Sequence, residues 1–383
     1  MPTFDDGPVH PFTEEEQYAR RTIRAFLDKE LDPHHEKFVG DIDYDREFWR
    51  KAGRAGILGS AVPEEQGGAG LSPLIAVIIS QELGRSIGGA TVGTSISADI
   101  ATHVLVDHGS DAQRAHYLPG VMSGEVTQAF GITEPDAGSD VTAIRTTALR
   151  QGDDYVINGS KTYICNAYKA DLIYVLAKTD PTKRGSGMSV LAVPGDTPGI
   201  TRRLLTTMGP AAYDLAELHF DDVRVPAANL LEGEGKAMGI LMGTFALDRL
   251  QVAARALGEA ELAYALAVEQ VKNRDAFGQK VFDFQNTQFV LADMKTEIEV
   301  ARSQLYDGIR RYRVGKFTFE DAAMIKLWIP RASQRVIDHA VQLFGGSGYM
   351  DEMPISRIYT ANRLHRIYAG TDEQQKIAIA RAI

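Results

Sequence analysis

At 383 residues the chain exceeds what one hydrophobic core usually serves, so two or three domains are expected, and 44% hydrophobic residues suffice to fill them. Lys and Arg total 41 against 51 Asp and Glu, a net charge of −10 with no basic run, so neither nucleic acid nor an anionic membrane is expected as principal partner. Cys165 is the only cysteine, which excludes an intrachain disulfide and fits a reducing compartment; the start MPTFDDGPVH lacks a signal-peptide core, and no apolar run reaches about 18 residues, so membrane insertion is not expected and a cytoplasmic enzyme is the default.

From Thr13 to about Gly124 the pattern is helical. Thr13 and Glu16 form a capping box, after which Tyr18, Ile23, Phe26 and Leu27 mark an apolar face. Glycines and Pro63 predict a loop over 53–70, followed by apolar segments at 73–83 and 91–106. From Val126 to about Gly235 short β-rich runs take over, among them 154–157, 172–177 and 188–193, and Asn158-Gly159 predicts a hairpin. Beyond Gly235 long helical stretches return at about 236–274, 286–314, 320–343 and after Thr371, with Pro330 expected to interrupt and kink the third. The division is 1–125 helical, 126–235 β and 236–383 a four-helix bundle. No G-x-G-x-x-G follows a strand and opens a helix, so a dinucleotide fold of the doubly wound type has no footing.

The most informative segment is Gly131–Val141, GITEPDAGSDV, between the helical third and the β region. Pro135 fixes its own φ, Gly138 relaxes the backbone, and the hydroxyls of Thr133 and Ser139 can face a polar ligand. Four further motifs follow in order: Tyr163-Ile164-Cys165-Asn166, Arg274-Asp275-Ala276-Phe277-Gly278-Gln279, Gln342-Leu343-Phe344-Gly345-Gly346, and Ile367-Tyr368-Ala369-Gly370-Thr371-Asp372-Glu373. Together they resemble the acyl-CoA dehydrogenase family, over nearly the whole chain from Phe12 to Arg381.

The resemblance implies a mainly α fold with a central β domain: helical N-terminal part, middle β-barrel, C-terminal four-helix bundle. It implies FAD, the hydride acceptor that no side chain can replace, and no metal. By resemblance Phe130, Ile132, Thr133, Gly138 and Ser139 line one side of the flavin, while Tyr163 and Cys165 approach its ring. Arg274, Phe277, Gln342, Gly345 and Gly346 match dinucleotide-holding positions, partly across a subunit boundary, and Thr371 and Glu373 match the pyrophosphate-side turn. Ser139, Arg249, Tyr368 and Gly370 match substrate-side positions. Acyl-CoA as substrate, an electron-transfer flavoprotein as acceptor and a homotetramer are implied in the same way. Paired glycines such as Gly345-Gly346 let a backbone approach a phosphate, and equally end a helix. Cys165 stands where the family commonly has threonine; it is a weaker donor or simply a small hydrophobe.

The larger departure is Ala369, in a frame where many members carry the glutamate that removes the α-proton. The branch resembling isovaleryl-CoA and long-chain dehydrogenases takes its base from the first long C-terminal helix, just before an arginine, a position held here by Asp248 before Arg249. Independently, Leu241, Phe245, Asp248, Val252 and Ala256 fall on one helical stripe, so the carboxylate lies on an apolar face where burial would raise its pKa. An ion pair with Arg249 is the structural alternative. Asp99 is a second candidate base, for a 1,4-elimination on a cyclohexene-carboxyl-CoA-type substrate, or else a residue paired near His103. The expected reaction is α,β-desaturation of a branched or cyclic acyl-CoA. A catalytically silent subunit of a hetero-oligomer and a flavin oxidase on the same scaffold stay open.

Overall fold

The computed structural model describes residue 4 and residues 9–38, 44–92, 100–209 and 214–383. The N-terminal region is helical: α1 (Glu14–Glu30), α2 (Tyr44–Arg54), α3 (Ile75–Gly84), α4 (Gly89–Val92), α5 (Ile100–His108) and α6 (Asp111–Ser123). The box at the start of α1 forms in both directions. Thr13 Oγ1 accepts from the Glu16 amide at 3.2 Å, and the Glu16 carboxylate accepts from the Thr13 amide at 2.9 Å. Ser110 and Gln113 cap α6 in the same manner.

Strands β1 (Gln128–Gly131), β2 (Thr147–Gln151), β3 (Asp154–Cys165), β4 (Leu172–Lys178), β5 (Met188–Pro194), β6 (Ile200–Leu204) and β7 (Leu215–Pro226) form one seven-stranded sheet. Its order is β1-β4-β2-β3-β7-β6, with β5 pairing β4. The hairpin expected at Asn158-Gly159 is not there. That dipeptide lies inside β3, and the turn is made one segment earlier, by Gly152 and Asp153 between Gln151 and Asp154. Tertiary contacts override the local signal. Gly159 adopts φ +146°, and a Cβ there would sit 2.4 Å from Thr146 Oγ1, while the Asn158 side chain donates to Asp222 Oδ1 and accepts the Asp222 amide. The pair therefore makes a bulge against β7, where the register shifts between Ile157 and Gly159.

The C-terminal region holds α7 (Ala237–Asn273), a short hairpin of β8 (Asp275–Ala276) and β9 (Gln279–Lys280), α8 (Gln285–Arg313), α9 (Phe319–Phe344), α10 (Pro354–Asn362) and α11 (Asp372–Ala380). The three long helices α7, α8 and α9 stand where their periodicity predicts, and the helix expected after Thr371 is the short α11. Helix α9, however, runs unbroken through Pro330. The burial of Ile329, Pro330, Ala332 and Ser333 holds the helix together across the missing donor. The short α10 was not expected from the pattern. Among the described residues no helix is long and apolar enough to cross a membrane.

The spine of the molecule is α7, which packs on α3, α8 and α9. Two glycines let α3 and α7 touch backbone to backbone: a Cβ on Gly84 would lie 2.3 Å from the Arg255 carbonyl oxygen, and one on Gly258 2.3 Å from that of Gln81. Beside this contact the buried Glu261 carboxylate accepts from Arg85 Nε and from Arg302 Nη2, both at 2.6 Å, tying α3, α7 and α8 together. In an ordinary helix interior Gly→Ala stabilises by about 1 kcal/mol. Here Gly258→Ala is expected to destabilise by roughly 1–3 kcal/mol, because the methyl group would force the helices apart. Denaturant unfolding checks the sign, and a stabilised variant would refute the close-contact account.

Candidate active site

The cleft begins at the end of β1, where the chain turns through the glycine- and proline-containing loop toward β2. That loop is anchored by one buried ion pair. Lys161, on β3, donates to Glu134 Oε1 at 2.8 Å and to the Ile132 carbonyl at 3.1 Å, while the amides of Arg145 and Thr146 donate to the same carboxylate. Burial pulls the Lys161 ammonium down to about 8 against the attraction of Glu134. Burial acts the opposite way on Glu134, but Lys161, the Thr146 hydroxyl and the Arg145 amide hold its carboxyl below the usual range. Residues 130–133 are thus presented on a fixed edge. At the far end of β3, Tyr163 and Asn166 adopt left-handed backbones at φ 59° and 61° and turn that strand's end toward the same space.

The opposite wall is α7. A cavity of 250 Å³ lies between the two, lined on the sheet side by Phe130, Ile132, Thr133, Tyr163 and Cys165 and on the helical side by Asp248, Gln251, Val252, Tyr368 and Ala369. Leu241, Val252 and Ala256 are buried as the stripe predicts, and Asp248 lies among them with part of its surface open to the cleft. Among the described residues no ion pair or hydrogen bond holds its carboxylate. Burial pushes that carboxyl up to about 6, moderated by the nearby positive charges of Lys326 and Arg249.

Neither cation is free to pair with it. Lys326 is fully buried in α9 and donates to the Gly370 carbonyl at 2.5 Å; burial lowers its ammonium to about 8, while Asp372 and Asp248 oppose the fall. Arg249 stacks its guanidinium 3.9 Å from the centre of the Phe319 ring, and burial lowers it to about 10. Arg249 lies behind the 368–370 turn and lines neither the cleft nor the larger cavity beyond it. The turn itself carries Ala369 at φ 53° and Gly370 at φ 85°, and Gln375 Nε2 donates to both carbonyls, at 3.1 and 2.8 Å. Tyr368 is aimed by His365, whose Nδ1 lies 3.1 Å from the Tyr368 hydroxyl and whose Nε2 lies 2.9 Å from the buried Glu259.

Of the residues singled out in the sequence, Phe130, Ile132, Thr133, Tyr163, Cys165, Asp248 and Tyr368 meet in this cleft. Gly138 and Ser139 stand exposed on the adjoining loop. Thr371 caps α11, accepting from the Gln374 amide, with Glu373 in the first turn. Arg274, Phe277, Gln342, Gly345 and Gly346 lie outside the cleft walls, at the ends of α7 and α9; Phe277 is 98% exposed at φ 51°, and open space surrounds both glycines. Asp99 lies outside the described residues. Four residues of the site went unread in the sequence: Gln251, Lys326 and the Glu134–Lys161 pair that anchors the loop. The available signals were a polar residue three positions after Asp248 on the same stripe, and a lone lysine in the apolar run AAMIKLWIP.

Family models described as the N-terminal, middle and C-terminal domains of acyl-CoA dehydrogenase match residues 13–125, 129–223 and 235–383. The chain is 33% identical to the mitochondrial isovaleryl-CoA dehydrogenase of Pongo abelii, over 98% of this chain and 90% of that protein. It is 36% identical to the mitochondrial long-chain specific acyl-CoA dehydrogenase of Sus scrofa, over 99% and 89%. The crystal structure of an acyl-CoA dehydrogenase from Geobacillus kaustophilus superposes with a TM-score of 0.91 at 41% identity, covering 97% of this chain and 98% of that one.

The family is FAD-dependent, and the cleft fits the ring end of that cofactor. Its walls are apolar at Phe130, Ile132, Ile164 and Val252, with a hydroxyl and a thiol at Thr133 and Cys165 for a heteroaromatic edge. At 250 Å³ it is smaller than the ~300–1,000 Å³ of a site that encloses a whole drug-sized ligand, so it suits a ring and leaves a nucleotide tail outside. The chain belongs to the acyl-CoA dehydrogenase family, FAD-dependent oxidoreductases that dehydrogenate acyl-CoA thioesters.

Proposed function

We propose that the chain desaturates the α,β bond of a branched or cyclic acyl-CoA with Asp248 as the base. The observation that carries this reading is an unpaired carboxylate on the cleft wall, raised to about 6, in a protein whose 368–370 turn offers only a methyl group at Ala369. Asp248 accepts the α-proton; bound FAD supplies the hydride acceptor. The α7 wall and the edge of residues 130–133 hold the thioester between them and keep water from the carboxylate. A positioned base works best when its pKa lies near the working pH, and an unpartnered, crowded carboxylate meets that condition. The likeness to isovaleryl-CoA dehydrogenase supports a branched acyl group. An electron-transfer flavoprotein, typical of the family, is the proposed acceptor. The proposed domain division is 1–125, 126–235 and 236–383, and the proposed compartment is the cytoplasm.

The test is anaerobic bleaching of the flavin. Asp248→Asn should keep FAD and reduce it roughly 10²-fold or more slowly, the scale of a lost positioned base, while wild-type reduction should accelerate as pH rises through about 6. Normal reduction by Asp248→Asn with loss in Asp99→Asn would replace this reading with the 1,4-elimination. Normal rates in both would leave the silent-subunit reading in front.

The same carboxylate carries a stability cost. Burial holds its carboxyl at about 6 in the fold against an ordinary 3.8, so folding favours the protonated form; the penalty is absent below about 3.8 and complete above about 6. Asp248→Asn should therefore raise thermal stability above pH 6, by on the order of 2 kcal/mol, and the gain should vanish as pH falls toward 4. Equal stability of the two proteins at neutral pH would show that the carboxyl is not perturbed.

We also propose a homotetramer, because Arg274, Phe277 and Gln342 to Gly346 resemble cofactor-holding positions yet lie outside the single chain's cleft. Sedimentation should give one species of four chains with full flavin content. A stable, fully flavinylated monomer would defeat the proposal.

A further inference from the structure

Beyond Asp248 the cleft meets a second, larger cavity of 520 Å³, enclosed by residues 61–73, α5, the first half of α7 and Tyr312 of α8. Asp248 and Gln251 line both cavities, so an acyl group whose α-carbon sits at Asp248 reaches the second space past Gln251. Gln251 is only 7% exposed. Its carboxamide has no hydrogen-bond partner among the described residues and opens onto the two cavities it lines. Two more polar groups face the same space. Among the described residues His103 Nε2 is buried without a partner, and the hydroxyl of the half-buried Tyr312 makes no hydrogen bond. Among the described lining residues there is no Lys or Arg, and the rim carries Glu64, Glu65 and Asp107.

Three neutral groups without a partner among the described residues, set around one cavity, can donate to or accept from a neutral ligand group. We propose that Gln251, with His103 and Tyr312, is a specificity determinant that selects an acyl group bearing a neutral hydrogen-bonding function, a hydroxyl or a carbonyl, on the chain beyond the carbon at Asp248. A plain hydrocarbon would leave the three groups unpaired. A carboxylate would meet an acidic rim and, among the described lining residues, no cation. Burial keeps both titratable members neutral: it lowers the His103 imidazole, which Asp107 partly offsets, and it raises the Tyr312 hydroxyl, which Asp107 raises further. The inference deepens the reading of Asp248 as the base and rests on it for the direction in which the acyl group points.

The test uses the FAD-loaded protein and matched acyl-CoA sets of equal length: plain, ω-hydroxy, ω-oxo, ω-carboxy and ω-amino. Flavin bleaching gives kcat/KM, and calorimetry on thioether analogues, in which a methylene replaces the thioester carbonyl, gives binding without chemistry. The hydroxy or oxo member should exceed the plain one by about tenfold or more in both readouts, the scale of one or two buried hydrogen bonds. Gln251→Leu, and separately Tyr312→Phe, which removes one oxygen and nothing else, should shrink that ratio. Preference for the plain, carboxy or amino member, or an unchanged ratio in both variants, overturns the proposal. Asp248→Asn separates the two readings: if it bleaches normally while the binding ratio persists, the base assignment falls and the Gln251 inference stands.

Discussion

The backbone contact between α3 and α7 is the constraint from which the active-site geometry follows. With Gly84 and Gly258 in mutual contact, α7 can neither rotate nor slide without driving atoms into a carbonyl. The buried Glu261, shared by Arg85 and Arg302, sets the same register by charge. Such a network is costly to desolvate and contributes more to a unique arrangement than to stability, the general pattern for buried ion pairs. Ten residues of helix, about 15 Å, separate Gly258 from Asp248. A rigid α7 carries the orientation fixed at one end to the carboxylate and to Gln251 at the other.

Three acids on this helix meet opposite fates. Burial opposes ionisation at Glu259 and Glu261 alike, but His365, Arg255 and Asn362 surround the first and Arg85 and Arg302 the second, so both are held below the usual carboxylate range. Asp248 has neighbours of the right sign but no contact with them, and burial prevails. The difference lies in what the cations are already doing. Lys326 is committed to the Gly370 carbonyl and Arg249 to the Phe319 ring, so their charge reaches Asp248 only through space. Structural acids and the proposed base can share one helix because partners, not burial alone, decide their protonation.

Features determined within one turn of helix could be read from the residues in order. The Thr13–Glu16 box and the stripe through Asp248 depend only on spacing, and both formed as expected. What needed partners distant in sequence could not be read. Asn158-Gly159 has the chemistry of a hairpin and makes a bulge, because Thr146 and Asp222 come from other strands. Glu134 and Lys161 anchor the cofactor-side loop from 27 residues apart. Gln251 was visible as a polar residue on an apolar stripe, yet its lack of a partner is a property of the folded surroundings. The positions matched to the dinucleotide came from resemblance rather than physics, and one chain leaves Phe277 and Gly345 outside the cleft.

The turn at residues 368–370 keeps its shape without help from the side chain at 369. Alanine at φ 53° sits in a region that costs a non-glycine residue roughly 1–2 kcal/mol. The turn persists because Lys326 and Gln375 take up its carbonyls and His365 aims Tyr368. The first two run to backbone carbonyls and the last to the Tyr368 hydroxyl, so none depends on what residue 369 carries. At this position the cleft wall facing α7 carries only a methyl group, beside Tyr368. With the proposed base on α7 instead, the methyl group at 369 is compatible with the wide, substituted acyl group proposed here.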